Sequence, residues 1–187
     1  MFIVHVLLAR PIHVIVSSSK IIYKMKYITL SIILLFSLGS TGQTQITLED
    51  LKSILGTWEG SITYLDYKTN KPFTMAANLI VEKGRNEYTL ILNNLYPNEP
   101  KANNSEKIKV SNNGTMLNKH IVTQKEKLKN GHIQIQTEHY GKDDNKEAQI
   151  RYTYIIGKKI FLIRKEVQFS QGEEWIKRSE FSYNRNK

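Results

Sequence analysis

The sequence predicts an all-β protein, an antiparallel up-and-down barrel of eight to nine strands with a short N-terminal helix. From Thr57 onward, apolar residues recur mostly at every second position, as Ile150, Tyr152 and Tyr154 do. This period places alternate side chains on a core and in water. Turn-forming residues interrupt the alternation at intervals of about 10–15 residues, which is typical of an antiparallel barrel or sandwich.

Nine segments carry this alternation, and the turns between them are rich in Gly, Asn and charge. Asn113-Gly114 and Asn130-Gly131 favour hairpins, because both residue types tolerate positive φ. Strands are expected over 57–67, 73–82, 87–95, 105–110, 115–123, 131–140, 147–156, 159–169 and 174–184. Ahead of them, Thr47 followed by two acidic residues predicts a short helix that ends at Gly56.

The N-terminal segment has the pattern of a secretory signal. Lys24 and Lys26 precede an apolar run over residues 28–38, and Ser40 and Gly42 are small residues suited to a signal peptidase. The run is too short for a comfortable membrane span. We therefore expect residues 1–42 to be a signal peptide, with a reading frame that starts at Met25 and residues 1–24 as a mis-assigned extension. Residues 43–187 form the domain, which is expected in the periplasm or outside the cell.

Composition excludes several classes of site. The chain has no cysteine, so a disulfide framework, a thiolate metal site and a cysteine nucleophile are ruled out. After removal of residues 1–42, 23 basic and 17 acidic residues remain, a net charge of +6. The lysines are scattered instead of forming a basic stripe with interleaved aromatics, which argues against a nucleic-acid partner. No stable membrane span is expected after processing, and the sequence leaves the oligomeric state open.

The first predicted strand opens with Gly56-Thr57-Trp58. A short helix leading into Gly-x-Trp, followed by about eight meandering strands, resembles the lipocalin and fatty-acid-binding (calycin) superfamily. It also resembles exported lipocalin-like bacterial proteins of unknown function. The resemblance implies that Trp58 lies across one end of the barrel and that a basic residue of the last strand covers it. Arg178 and Arg185 are the two candidates for that residue.

The same resemblance implies a small hydrophobic or amphipathic ligand inside the barrel. A barrel of about eight strands either fills with side chains or holds one such ligand. Tyrosines supply polar tips in an apolar interior, because a buried phenol seeks a partner. Loop 95–104, with two prolines, is expected at the barrel mouth opposite Trp58, where its tyrosine contacts the ligand. The candidate ligand-binding residues are Tyr64, Tyr88, Tyr96, Tyr152 and Tyr154.

Catalytic and metal sites are not indicated. His132 and His139 lie seven apart on one predicted strand and so face opposite sides. Asp143-Asp144 lacks the spacing of a calcium loop and reads as a solvated hairpin tip. No cofactor, metal or catalytic residue is expected. The alternatives to a ligand-binding barrel are a protein-interaction or inhibitor module with a filled barrel and, less favoured, an enzyme on the same scaffold.

Overall fold

In the computed structural model, residues 44–185 are described, and they form a nearly closed antiparallel barrel with one short helix. Neighbouring strands follow the order β5-β4-β3-β1-β11-β10-β9-β8-β7-β6, and β2 pairs with β1. A single bridge between Val110 and Leu117 joins the two edges of this sheet. The predicted signal peptide lies outside the described residues.

The helix and strands are short and joined by tight connections. The helix α1 is Leu48–Leu51, and single 3-10 turns cover Lys52–Ile54 and Pro100–Ala102. The strands are β1 Gly56–Leu65, β2 Pro72–Ala76, β3 Asn78–Lys83, β4 Thr89–Leu95, β5 Asn104–Lys109, β6 Met116–Leu117, β7 His120–Lys127, β8 Ile133–Asp143, β9 Lys146–Ile156, β10 Ile160–Gln168 and β11 Ile176–Asn184.

The fold class predicted from the sequence is confirmed, but the expected number of strands was wrong. Two of the nine predicted strands are each divided in two. The segment 73–82 is interrupted at Ala77, whose N–H donates to the Gly60 carbonyl (2.9 Å). The segment 115–123 is interrupted by Asn118 and Lys119, both with positive φ, which make a tight turn between β6 and β7.

Antiparallel alternation gives the barrel two distinct ends. The loops after β3, β5, β7 and β9 lie at the end where β1 begins and β11 finishes, here called the Trp58 end. The loops after β1, β4, β8 and β10 lie at the other end, here called the Asp143 end.

The core fills the Trp58 end. Trp58, Phe161 and Tyr183 are buried together, with the Trp58 and Phe161 ring centroids 6.1 Å apart. Leu51 and Ile54, from α1 and the 3-10 turn after it, belong to the same cluster. The helical segment therefore packs its apolar side chains against this end of the barrel. Among residues 44–185, no helix has the length and apolar character needed to cross a membrane.

Candidate functional site

Trp58 is fully buried and held from both sides. Its indole Nε1–H donates to the Ile54 carbonyl (2.7 Å), and the Arg185 guanidinium lies 4.0 Å from the ring centroid. Arg185 also donates to the carbonyls of Leu55 and Lys158, each at 2.7 Å, and to that of Ser53. One arginine therefore ties the end of β11 to the helical segment and to the loop after β9.

Gly56 starts β1 beside this arginine with a φ of 104°, which residues with a side chain rarely adopt. A Cβ there would lie at an ordinary contact distance of 3.4 Å from Arg185 Nη1, so the backbone conformation is what favours glycine.

Arg178, the other candidate for the residue over Trp58, lies at the Asp143 end. The pairing of β10 with β11 shifts between Lys165 and Glu166, and Arg178 is the residue left unpaired. Such a bulge re-aims a side chain. Arg178 donates to the Asp143 carboxylate (2.7 Å), and its guanidinium lies 4.8 Å from the Tyr67 ring centroid.

Asp143 is the centre of a buried polar cluster, where the sequence had suggested a solvated tip. It is 3% exposed and accepts hydrogen bonds from Lys165 (2.7 Å), Arg178 (2.7 Å) and Tyr67 (2.9 Å). Burial alone would raise the pKa of its carboxyl, but the bonds from Lys165 and Tyr67 and the two cationic charges lower that pKa below its usual value. The carboxylate is therefore ionised and shared by two cations.

A cavity of about 280 Å³ lies inside the barrel, and Lys165 of this cluster is part of its wall. The cavity combines aliphatic and aromatic side chains with a small number of polar ones. Its lining residues are Leu92, Glu106, Lys107, Ile108, Asn118, His120, Tyr152, Tyr154, Ile163, Lys165, Ser179 and Phe181. They come from six strands and one turn, so the barrel itself shapes the site.

Tyr152 and Tyr154, two of the five predicted ligand-binding tyrosines, line this cavity. Tyr154 is only 5% exposed. Burial raises the pKa of both phenols; the Lys165 charge partly opposes this at Tyr152, and the Glu106 charge raises the pKa of both. No hydrogen bond within the described residues involves either hydroxyl. Both hydroxyl groups are therefore protonated and have hydrogen-bonding capacity to offer a ligand.

The inner face of β8 carries two more polar atoms without partners. Thr137 Oγ1 and His139 Nδ1 are buried and make no hydrogen bond within residues 44–185. Thr137 pairs with Tyr152 across the sheet. Neither residue lines the cavity itself, and His139 also borders a groove formed with Met116, Ile121 and Tyr140.

His120 and His139 form a stacked pair that the sequence did not reveal. Their ring centroids are 3.6 Å apart. The Tyr152 ring is nearly parallel to both, and its centroid lies 6.0 Å from that of His120 and 6.2 Å from that of His139. Burial lowers the pKa of both imidazoles, and the charges of His120 and Lys165 lower that of His139 further. Both rings are neutral at pH 7. Within the described part of the chain, no three His, Asp or Glu residues are placed to hold a metal ion.

The other three predicted tyrosines lie outside the cavity lining. Tyr64 is 37% exposed and packs on Phe73 (5.4 Å between centroids). Tyr96, in the loop after β4 at the Asp143 end, packs against the core. Tyr88 precedes β4 at the Trp58 end, where it lines a separate surface pocket together with Ile46, Leu48 and Val110.

Sequence reasoning missed Glu106, His120, Lys165 and Ser179 as lining residues. Lys165 and Ser179 share parity with Ile163 and Phe181 on their strands, so the alternation alone placed them inward. Glu106 shares parity with Ile108 and Val110 in the same way. His120 gave no such indication, because the sequence did not reveal the turn at Asn118 and Lys119 from which β7 begins.

Comparisons with known proteins add little to this site. No protein-family model matches the chain, and no curated protein is a significant match. A crystal structure of Rv2717c from M. tuberculosis is similar, with a TM-score of 0.44 and 13% identity over 75% of this chain and 97% of that one. A protein of unknown function of the DUF3598 family (Npun_R4044) from Nostoc punctiforme PCC 73102 has a TM-score of 0.36 and 11% identity over 79% of this chain and 53% of that one. At these values neither likeness bears on function, and the lipocalin resemblance stays a prediction.

Proposed function

We propose that this chain is an exported binding protein that holds a small hydrophobic or amphipathic molecule inside its barrel. The single observation that carries the proposal is the cavity, in which aliphatic and aromatic walls surround two phenol hydroxyls that make no hydrogen bond within the described residues. Binding sites for small molecules have this composition, and their volumes begin at about 300 Å³. The cavity of about 280 Å³ lies just below that volume and therefore suits a small ligand.

A cavity-filling substitution tests this proposal. Ser179 lines the cavity, whereas Ser182 lies on the other face of the same strand. We expect the neutral fluorescent probe N-phenyl-1-naphthylamine to bind the wild-type protein, and Ser179→Phe to weaken that binding at least about tenfold, which is about 1.4 kcal/mol. Ser182→Phe is the matched control and should bind the probe as the wild type does. Equal loss in both variants, or none in either, would contradict a site in the cavity.

Export is the other part of the proposal and rests on residues 24–42 of the sequence. The secreted protein should begin at Gln43 or within a few residues of it. N-terminal sequencing of protein from the periplasm or medium measures this directly. A chain recovered there with its apolar run intact would refute cleavage.

A second candidate function is protein interaction, and one surface feature favours it. Met116, Ile121 and Tyr140 are 39%, 50% and 84% exposed and border a groove of about 430 Å³ on the outer face of the barrel. Exposed apolar patches often mark interaction sites. If the wild-type protein binds no probe at all, this alternative becomes the favoured one.

A further inference from the structure

We propose that the cavity selects a small amphiphile whose polar head is a positively charged amine. The inference rests on the proposed function, since it names the chemistry of the ligand that the cavity takes. Three features support it: a carboxylate in the wall that lacks a cationic partner, phenol oxygens able to accept hydrogen bonds, and aromatic rings around the same space.

The carboxylate is that of Glu106 on β5. It lines the cavity, and the ion pairs formed within residues 44–185 do not include it. Its charge acts on the phenols of Tyr96, Tyr152, Tyr154 and Tyr183, raising the pKa of each. Glu106 is itself exposed to solvent, and its negative charge acts on the two phenols of the cavity wall.

The positive charges around the cavity are already matched or directed elsewhere. Lys165 is held by Asp143 at 2.7 Å, and that carboxylate is almost completely buried. Arg178 binds the other oxygen of Asp143 and faces the rings of Tyr67 and Phe169 instead of the cavity. Lys107 lines the cavity as well and is exposed, as Glu106 is, but strand alternation turns its side chain to the opposite face of β5 from Glu106. His120 and His139 are neutral at pH 7, for the reasons given above.

An ammonium group fits the remaining polar atoms. It has three N–H donors and no acceptor. Glu106 and the hydroxyl oxygens of Tyr152 and Tyr154 are acceptors without partners in the described residues. Phe181 and the two tyrosines add ring faces, which attract cations. Leu92, Ile108 and Ile163 line the same cavity and suit a short apolar body.

Three ligands with one alkyl chain and different heads test the proposal. Hexylamine, hexanoate and hexanol are cationic, anionic and neutral at pH 7, and each is small enough for a cavity of about 280 Å³. We expect the full-length secreted protein to bind hexylamine about tenfold more tightly than the other two, measured by calorimetry or NMR titration. Glu106→Gln keeps the shape of the side chain and should abolish that preference. Glu82→Gln removes the same charge from an exposed position of β3 and should keep it.

The possible results separate this inference from the function on which it rests. Hexanoate binding more tightly than hexylamine overturns the inference and assigns the head group to Lys165. Equal binding of all three also overturns it, while ligand binding itself stands. If N-phenyl-1-naphthylamine binds and none of the three ligands does, the amine assignment fails alone. If neither the probe nor any of the three binds, the proposed function fails as well.

Discussion

Replacing Asp143 by Asn should destabilise the protein strongly at neutral pH. The substitution keeps the shape of the side chain but leaves the Lys165 and Arg178 cations beside a neutral amide. Breaking a buried ion pair by removing one partner costs about 3–5 kcal/mol. The Lys165 and Arg178 side chains are 23% and 10% exposed, so water partly solvates them. We therefore expect a loss near the lower limit, about 3 kcal/mol in the free energy of unfolding measured with urea.

The neighbouring residue provides the control. Asp144 is exposed, with a φ of 49° that Asn tolerates well, so Asp144→Asn should change stability by less than about 0.5 kcal/mol. The pKa of the Asp143 carboxyl is lowered by folding, so its stabilising contribution is present above the unfolded pKa of about 3.9 and disappears as the pH falls through the folded value. The difference between wild type and Asp143→Asn should accordingly shrink at pH 3. Equal stability of the two Asn variants at pH 7 would refute this account of the cluster.

Three further predictions concern the Trp58 end and the histidine pair. Arg185→Met should lower the free energy of unfolding, measured with urea, by about 2–4 kcal/mol, because three carbonyls and the Trp58 ring lose a charged partner. An unchanged urea midpoint would contradict a stabilising role for Arg185 at this end of the barrel. Gly60→Ala should cost about 1–3 kcal/mol in thermal unfolding, since the new Cβ would lie 2.9 Å from the Tyr183 Cα, where the backbone of a paired strand cannot easily move. The free energy of unfolding of the wild type should decline below about pH 6.5, because folding lowers the pKa of His139 and the unfolded chain then binds more protons. His139→Gln should make that decline shallower, as measured by urea titrations between pH 7 and pH 5.

The alternation of apolar residues was enough to predict the barrel, but not the breaks in its strands. Ala77 and the pair Asn118-Lys119 interrupt two otherwise continuous patterns. The first break arises where the Ala77 N–H donates to the carbonyl of Gly60, seventeen residues earlier in the chain, and a contact between residues so far apart leaves no local sequence signal. The second uses a turn with positive φ at a lysine, a residue that is not a usual turn former. Asn113-Gly114 was the more obvious turn, and Gly114 does adopt a positive φ.

The residues of the candidate site were likewise predicted only in part from the sequence. Parity placed Tyr152 and Tyr154 inward correctly, and the same parity runs from Ile135 through Thr137 and His139 to Asp143. The sequence interpretation stopped β8 at residue 140, so Asp143 was taken for a hairpin tip. The turn in fact consists of Asp144 and Asn145. Pairing of His120 with His139 depends on a register shift between Val122 and Gln124, which no periodicity reveals.

Two arginines of the last strand segment secure the two ends of the barrel by different chemistry. Arg185 donates to main-chain carbonyls, which stay neutral at any pH, so its contacts do not depend on protonation. Arg178 depends on a carboxylate, and that carboxylate also holds Lys165 in the cavity wall. Protonating Asp143 would leave Lys165 without its counter-ion and would add an uncompensated positive charge to the cavity. Strong acid should therefore loosen the Asp143 end before the Trp58 end, and the cationic head proposed for the ligand would then meet repulsion where Glu106 now attracts it.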